Sequence, residues 1–458
     1  MEALFRKLKR IRKIPMHMPG HKRNRKKFSY LRHFADIDIT EIEGFDNLHN
    51  PSGILKLSME NAARKRGADS AFYLVNGSTC GILAAIGAVL KSGDKVIMAR
   101  NCHKSVYNGI ELAGAVPIFV YPEFDNKYKI VGSVNPCDIA SKIEENPDSK
   151  LIIVTSPTYE GVISDIKEIC ALAHKRNIPV LVDAAHGAHL GFFGFSKSAT
   201  ELGADICVES LHKTLPSLTQ TAICYLLGNL VSKEVFSEKL AVFETSSPSY
   251  ILLSSIDGCI NAINEPKRQI FVEWDKNLNF FYRKTLDLKN IEIIRDKESF
   301  FDFDRSKIVI FPKNQSGTEL ARMLRNENIE PEMIAPHYVV CMTGAGDTKN
   351  SMRKLANALY KADKIKKHNI RNGVLTAFCE DSQNPFNAAL KSEKVFCKLE
   401  EAAGRISAGY VWAYPPGVPV IVPGEKISQR CLENLKEYQK NNVELCGNIK
   451  GGEILVIK

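Results

Sequence analysis

The sequence lacks several features that would assign it to a special class. No apolar run reaches the roughly 18–20 residues that a membrane span needs. The N-terminus is basic but has no continuous apolar stretch of the secretory kind, so a cytoplasmic protein without membrane attachment is expected. Twelve cysteines are present, but none form a CxxC pair and their spacing is irregular. That argues against a disulfide framework and for reduced thiols. Cys102-His103 is the one tight Cys/His pair, and without spaced partners no metal site is expected. Internal repeats and low-complexity tracts are also missing, which excludes solenoids and fibrous proteins.

What is there reads as an ordinary globular chain, 44% hydrophobic and 25% charged. At 458 residues it exceeds a single core, so two or three domains are expected. The net charge of +10 is unevenly placed. Residues 1–33 hold twelve Lys/Arg and one acid, leaving 50 basic and 51 acidic residues for the remainder. Such an arm suits an anionic partner. Met16-His17-Met18-Pro19-Gly20-His21 interrupts the basic run with a specific-looking motif. The arm is therefore read as packing on the body or on a partner subunit, and nucleic acid is not expected as a partner.

Residues 1–55 form this arm, with a short amphipathic helix within 1–13, and a loop-rich segment. From 56 to 240, helix-like and strand-like stretches alternate, which predicts an α/β large domain with a mostly parallel sheet covered by helices. Residues 241–363 read as a smaller α+β domain. Lys361–Asn369 looks like a linker, and 370–458 form a C-terminal domain with a helix over 384–403.

The chemistry-bearing residues cluster at predicted strand ends. Ile178–Val182 reads as a buried strand, followed by Asp183-Ala184-Ala185-His186. Ser210-Leu211-His212-Lys213-Thr214 follows another. The C-terminal edge of an open α/β sheet is where ligands bind. Asn76-Gly77-Ser78-Thr79-Cys80-Gly81 opens a helix after a strand and offers backbone N–H groups and two hydroxyls to a phosphate. His103 follows the next strand. Each feature has a bland counterpart: a capping aspartate, a helix-terminal histidine, a solvated lysine. Their order is more telling. Phosphate turn, stacking ring, aspartate and lysine follow the sequence order used by pyridoxal phosphate (PLP) enzymes of the aspartate aminotransferase fold. In that chemistry the lysine forms a Schiff base and the aspartate keeps the pyridine nitrogen protonated. From its spacing, His186 is a candidate for the cofactor's phenolic oxygen.

These residues resemble the Orn/Lys/Arg decarboxylase family. The resemblance includes His17–Lys22, Thr40-Glu41, Asp46, Pro51-x-Gly53, Thr155–Tyr159 and Ser210–Pro216. It extends to Gly404–Ala408 and Tyr414-Pro415-Pro416-Gly417, so it spans nearly the whole chain. It implies a PLP-dependent α-decarboxylase of arginine, lysine or ornithine, of the shorter bacterial branch, acting as a homodimer or higher homo-oligomer. Lys213 would carry PLP, Asp183 would pair with its nitrogen, and His103 would stack. Ser78, Thr79, Ser210 and His212 would hold the phosphate. Two family acids are neutral here, at Ala184 and Gly409. A distal substrate cation would then fall to Glu41, Glu43, Asp46 or Glu160. Two alternatives stay open. One is another fold type I enzyme, an aminotransferase or lyase, in which Arg405 would grip the α-carboxylate. The other is a catalytically diverged regulatory relative.

Overall fold

The computed structural model describes residues 3–11, 14–24, 26–27, 29–31, 33–265, 269–297, 300–365, 378, 386–413, 417–441 and 443–458. Residues 366–369 of the expected linker and Tyr414-Pro415-Pro416 lie outside them.

Seven strands build the central sheet: β1 (Ser70–Leu74), β2 (Lys95–Ala99), β3 (Val116–Val120), β4 (Leu151–Thr155), β5 (Val180–Asp183), β6 (Ile206–Ser210) and β7 (Ala222–Leu226). Their order is β1-β7-β6-β5-β4-β2-β3. The β2/β3, β2/β4, β4/β5 and β5/β6 pairs are parallel, and β7 runs antiparallel between β1 and β6. All four residues of β5 and all five of β6 are buried, because helices cover both faces. The strands β1, β2, β4, β5 and β6 therefore bring their C-terminal ends to one edge. There the chain delivers Asn76, Asn101, Ser156, Asp183 and Lys213.

Helix α1 (Leu4–Lys9) docks the described part of the basic arm on the body. Leu4 and Leu8 are fully buried, and the Leu4 N–H donates to Asp257 Oδ2 at 2.9 Å. Helix α2 (Ile54–Arg66) starts on a carboxylate outside its own first turn. Asp46 accepts the N–H groups of Gly53, Leu55 and Lys56, which satisfies donors that a helix start leaves unpaired. Helix α3 (Gly77–Val89) lies against the sheet at Gly81. A Cβ at Gly81 would stand 2.6 Å from Leu74 Cδ1 and 3.3 Å from Val208 Cγ1, so glycine is what allows the Asn76–Gly81 turn to sit close on β1 and β6.

A four-stranded antiparallel sheet (Ile291–Ile293, Lys307–Pro312, Val339–Met342, Met333–Ile334) follows, with the helices Gly317–Asn326 and Lys349–Ala362. The main apolar core runs continuously from the large sheet into these helices, through Trp274, Leu278, Ile308 and Leu355. The expected helix over 384–403 is corrected. A helix spans Phe386–Lys391, and Lys394–Lys398 is a strand paired antiparallel with Glu453–Ile457. Ser392 bonds back to the Ala388 carbonyl at the helix end, and the chain beyond it takes up the ladder with the C-terminal strand. Ten of the described cysteines are free, eight of them buried. Cys431 departs from the expectation of reduced thiols and is disulfide-bonded.

A fully buried ion pair ties the C-terminal segment to the sheet edge. Arg100, just after β2, meets Glu425 in a two-pronged contact, Nε to Oε1 at 2.7 Å and Nη2 to Oε2 at 2.9 Å. The Pro419 and Val420 carbonyls take further guanidinium donors. Breaking one partner of such a pair strands the other charge. Glu425→Gln should cost about 3–5 kcal/mol of stability, seen as a lowered unfolding midpoint. The double variant Arg100→Met/Glu425→Leu should lose less.

Candidate active site

Lys213 sits in a one-turn helix, Leu211–Thr214, that β6 launches from the sheet edge. Its Nζ lies 2.9 Å from His186 Nε2. Burial pushes the amine below its ordinary value, while Asp183 pulls the other way. His186 is buried, and burial holds its imidazole well below the usual histidine range, aided by the nearby Lys213 and Lys307 charges. The Lys213 amine thus faces a neutral ring. Asp183 ends β5 with 2% exposure and accepts the Ala185 N–H at 3.2 Å. Burial raises its carboxyl, with Lys213 opposing.

His103 caps helix α4 (Lys104–Ala113) by accepting the Ser105 N–H on Nδ1 at 3.2 Å. Burial, with Lys213 and Lys104 nearby, pushes it down to about 4. Its ring, Ala185, Asp183, His186, Lys213 and Ser78 all line one cleft of about 330 Å³. Thr79, Ser210 and His212 do not line it. Ser210 is fully buried, and His212 Nδ1 donates to the Thr221 carbonyl at 2.9 Å.

A buried cluster backs the His186 loop. Lys307 Nζ donates to the His186 carbonyl at 3.4 Å and pairs with Asp304 Oδ2 at 3.3 Å. Asp304 Oδ1 also meets His189 Nε2 at 3.0 Å. All three side chains are fully buried. The His189 and Lys307 contacts hold the Asp304 carboxyl well below its ordinary range against the opposing effect of burial.

Of the four acids proposed for a distal cation, Glu160 alone lines the cleft. Asp46 caps α2, and Glu43 belongs to a separate groove with Lys7 and Phe45. Glu41 lies outside the cleft, with Oε1 buried and unpaired. Glu332 and Tyr338 line it too, and sequence reasoning missed both. They come from the smaller sheet and follow no motif; only contact in three dimensions reveals them. At Gly409 a Cβ would stand 2.4 Å from Asn448 Cγ, so the Asn448 side chain already fills the space an acid would take. Ala184 is buried in the core. Arg405 donates to the Ile457 carbonyl and does not line the cleft.

The residues present fit PLP. Asn101 Oδ1, His186 Nδ1 and Ser210 Oγ are buried and without hydrogen-bond partners, as expected of atoms waiting for a polar ligand. Asp183 is a buried carboxylate that a protonated ring nitrogen would neutralise.

Fold and site together define an enzyme of the aspartate aminotransferase-like, fold type I PLP class. The constitutive lysine decarboxylase of Escherichia coli superposes with a TM-score of 0.80 at 19% identity, covering 99% of this chain and 81% of that one. The family model of the Orn/Lys/Arg decarboxylase major domain matches residues 2–301, and that of the C-terminal domain matches residues 369–449. An arginine decarboxylase of Bacillus subtilis is 35% identical over 93% of this chain and 90% of its own length. One from Bacillus anthracis is 33% identical over 97% and 93%. The chain belongs to the Orn/Lys/Arg decarboxylase family and is an amino-acid decarboxylase.

The buried histidines set an acid limit. His103 and His337 are both pushed down to about 4 from 6.5 by burial. Below pH 6.5 the unfolded chain binds protons that the folded chain refuses. Stability is thus full above that pH and falls as pH drops toward about 4. His337→Gln should flatten this fall by up to roughly 1.4 kcal/mol per pH unit, measured by denaturant unfolding across the acid range.

Proposed function

We propose that the protein is a PLP-dependent α-decarboxylase of arginine, producing agmatine, with its chemistry centred on Lys213. The observation that carries this reading is the buried Lys213 amine set against the neutral His186 ring and Asp183, in a cleft that also holds Glu160. The arginine decarboxylases among its relatives support the choice of substrate. In a decarboxylase no arginine needs to grip the α-carboxylate, which agrees with Arg405 standing away from the cleft.

Lys213 would hold the cofactor, Asp183 would take its ring nitrogen, and His103 would stack on its ring, all from the lining of one cleft. Ser78 and Thr79 at the start of α3, with the neighbouring Ser210 and His212, would take the phosphate. When bound, the cofactor supplies an electron sink for the pair released as the Cα–carboxylate bond breaks. Burial lowers the Lys213 amine, and the neutral His186 Nε2 accepts a hydrogen bond from it, which orients the amine as a nucleophile and later as a proton donor to Cα. Asp183, buried at the strand end, keeps its partner charged and favours negative charge leaving Cα. Apolar side chains such as Met333, Val418 and Val420 line the cleft and limit water. The working form is a homodimer or larger homo-oligomer in the cytoplasm.

The test is CO₂ release from arginine, lysine and ornithine by the purified, PLP-loaded protein. Arginine should be the preferred substrate. Lys213→Ala should abolish both turnover and the visible absorbance of lysine-linked cofactor. Asp183→Asn should keep cofactor yet lose turnover by at least roughly 100-fold, the scale of one lost electrostatic contact to developing charge. No CO₂ from any of the three amino acids, or full turnover without Asp183, would contradict the reading.

A further inference from the structure

Glu160 is 8% exposed and lines the same cleft as Lys213. Its Oε1 accepts the Tyr338 hydroxyl at 2.8 Å, and among the described residues no cation forms an ion pair with it. An ionised carboxylate buried without a cation is costly, and a site for a charged ligand is where that cost is tolerated. Burial pushes its carboxyl above the ordinary value, with the Tyr338 contact opposing. The backbone is built to hold it there. Gly161 has φ +103°, and a Cβ at that position would stand 2.9 Å from both the Asp304 carbonyl and Lys307 Cγ. The turn carrying Glu160 is thus pressed against the Asp304–Lys307 cluster that also backs His186.

A second carboxylate–tyrosine pair stands beside the first. The Tyr159 hydroxyl donates to Glu332, which is exposed and also lines the cleft. The Tyr159 ring lies 4.5 Å from the His186 ring, so the pair joins the Lys213 end of the cleft to its acidic wall. Tyr438, from the C-terminal domain, lines the cleft near Glu160. Two carboxylates in a cleft lined by Tyr159, Tyr338 and Tyr438 suit a planar, multi-donor cation better than a point charge.

We infer that Glu160, held by Tyr338, is the specificity-determining residue that receives the distal guanidinium of the substrate, with Glu332 and Tyr159 as the outer contact. This rests on the reading that the amino-acid end of the substrate lies at Lys213. The buried Glu160 provides the larger share of the affinity, because exposed charges are screened.

The test is calorimetric binding of agmatine, which has no carboxylate to lose, to the PLP-loaded protein and its variants. Glu160→Gln keeps the shape and the Tyr338 contact, and should weaken agmatine binding by roughly 30-fold or more. N-carbamoylputrescine, the neutral ureido counterpart, should bind wild type and variant alike. Glu332→Gln should weaken agmatine by only a few-fold. Tyr338→Phe, which leaves the charge in place, should fall between the two. Agmatine binding indifferent to Glu160→Gln, or a wild type that does not distinguish agmatine from its neutral counterpart, would overturn the inference. Loss of CO₂ release from basic amino acids with agmatine binding still dependent on Glu160 would instead count against decarboxylation alone.

Discussion

Everything at this site depends on keeping one lysine amine out of water beside a carboxylate and an imidazole. In water Lys213 would be a strongly hydrated cation and a poor nucleophile. At the sheet edge its amine meets a His186 ring that burial keeps neutral, and Asp183 offsets part of the desolvation. That arrangement requires β5 and β6 to be adjacent and parallel, so that Asp183 and Ser210 end at the same edge. It also requires the His186 loop to stay fixed, which is the part played by Lys307 and Asp304.

The same buried cluster links the cofactor end to the substrate end. Gly161 packs on Asp304 and Lys307, and those residues in turn hold the His186 carbonyl and His189. A shift in the smaller sheet would therefore move Glu160 and His186 together. Family acids missing at Ala184 and Gly409 do not leave the site without negative charge. Asn448 and the core have closed those positions, while Glu160 and Glu332 stand in the cleft itself.

Much of this was legible in the residue pattern. Asp183, His186 and Lys213 announced themselves because a parallel sheet puts consecutive strand ends on one edge, and strand periodicity is a local property. Ser78 and His103 were found the same way. The helix expected over 384–403 failed because Lys394–Lys398 is held as a strand by a partner some sixty residues away, Glu453–Ile457, which no local window contains. Glu332 and Tyr338 escaped for a similar reason: their place in the cleft comes from contacts with Tyr159 and Glu160, which are far away in the chain. The basic arm was read by its interruption at Met16–His21, and its described helix packs on the body through Leu4 and Leu8.

The central claim is that Lys213 is the residue that bonds the cofactor. Borohydride reduction of the PLP-loaded protein, followed by proteolysis and mass spectrometry, tests it most directly. The account predicts a single phosphopyridoxyl adduct on the peptide containing Lys213. An adduct on another lysine, Lys307 included, or no adduct at all, would contradict it.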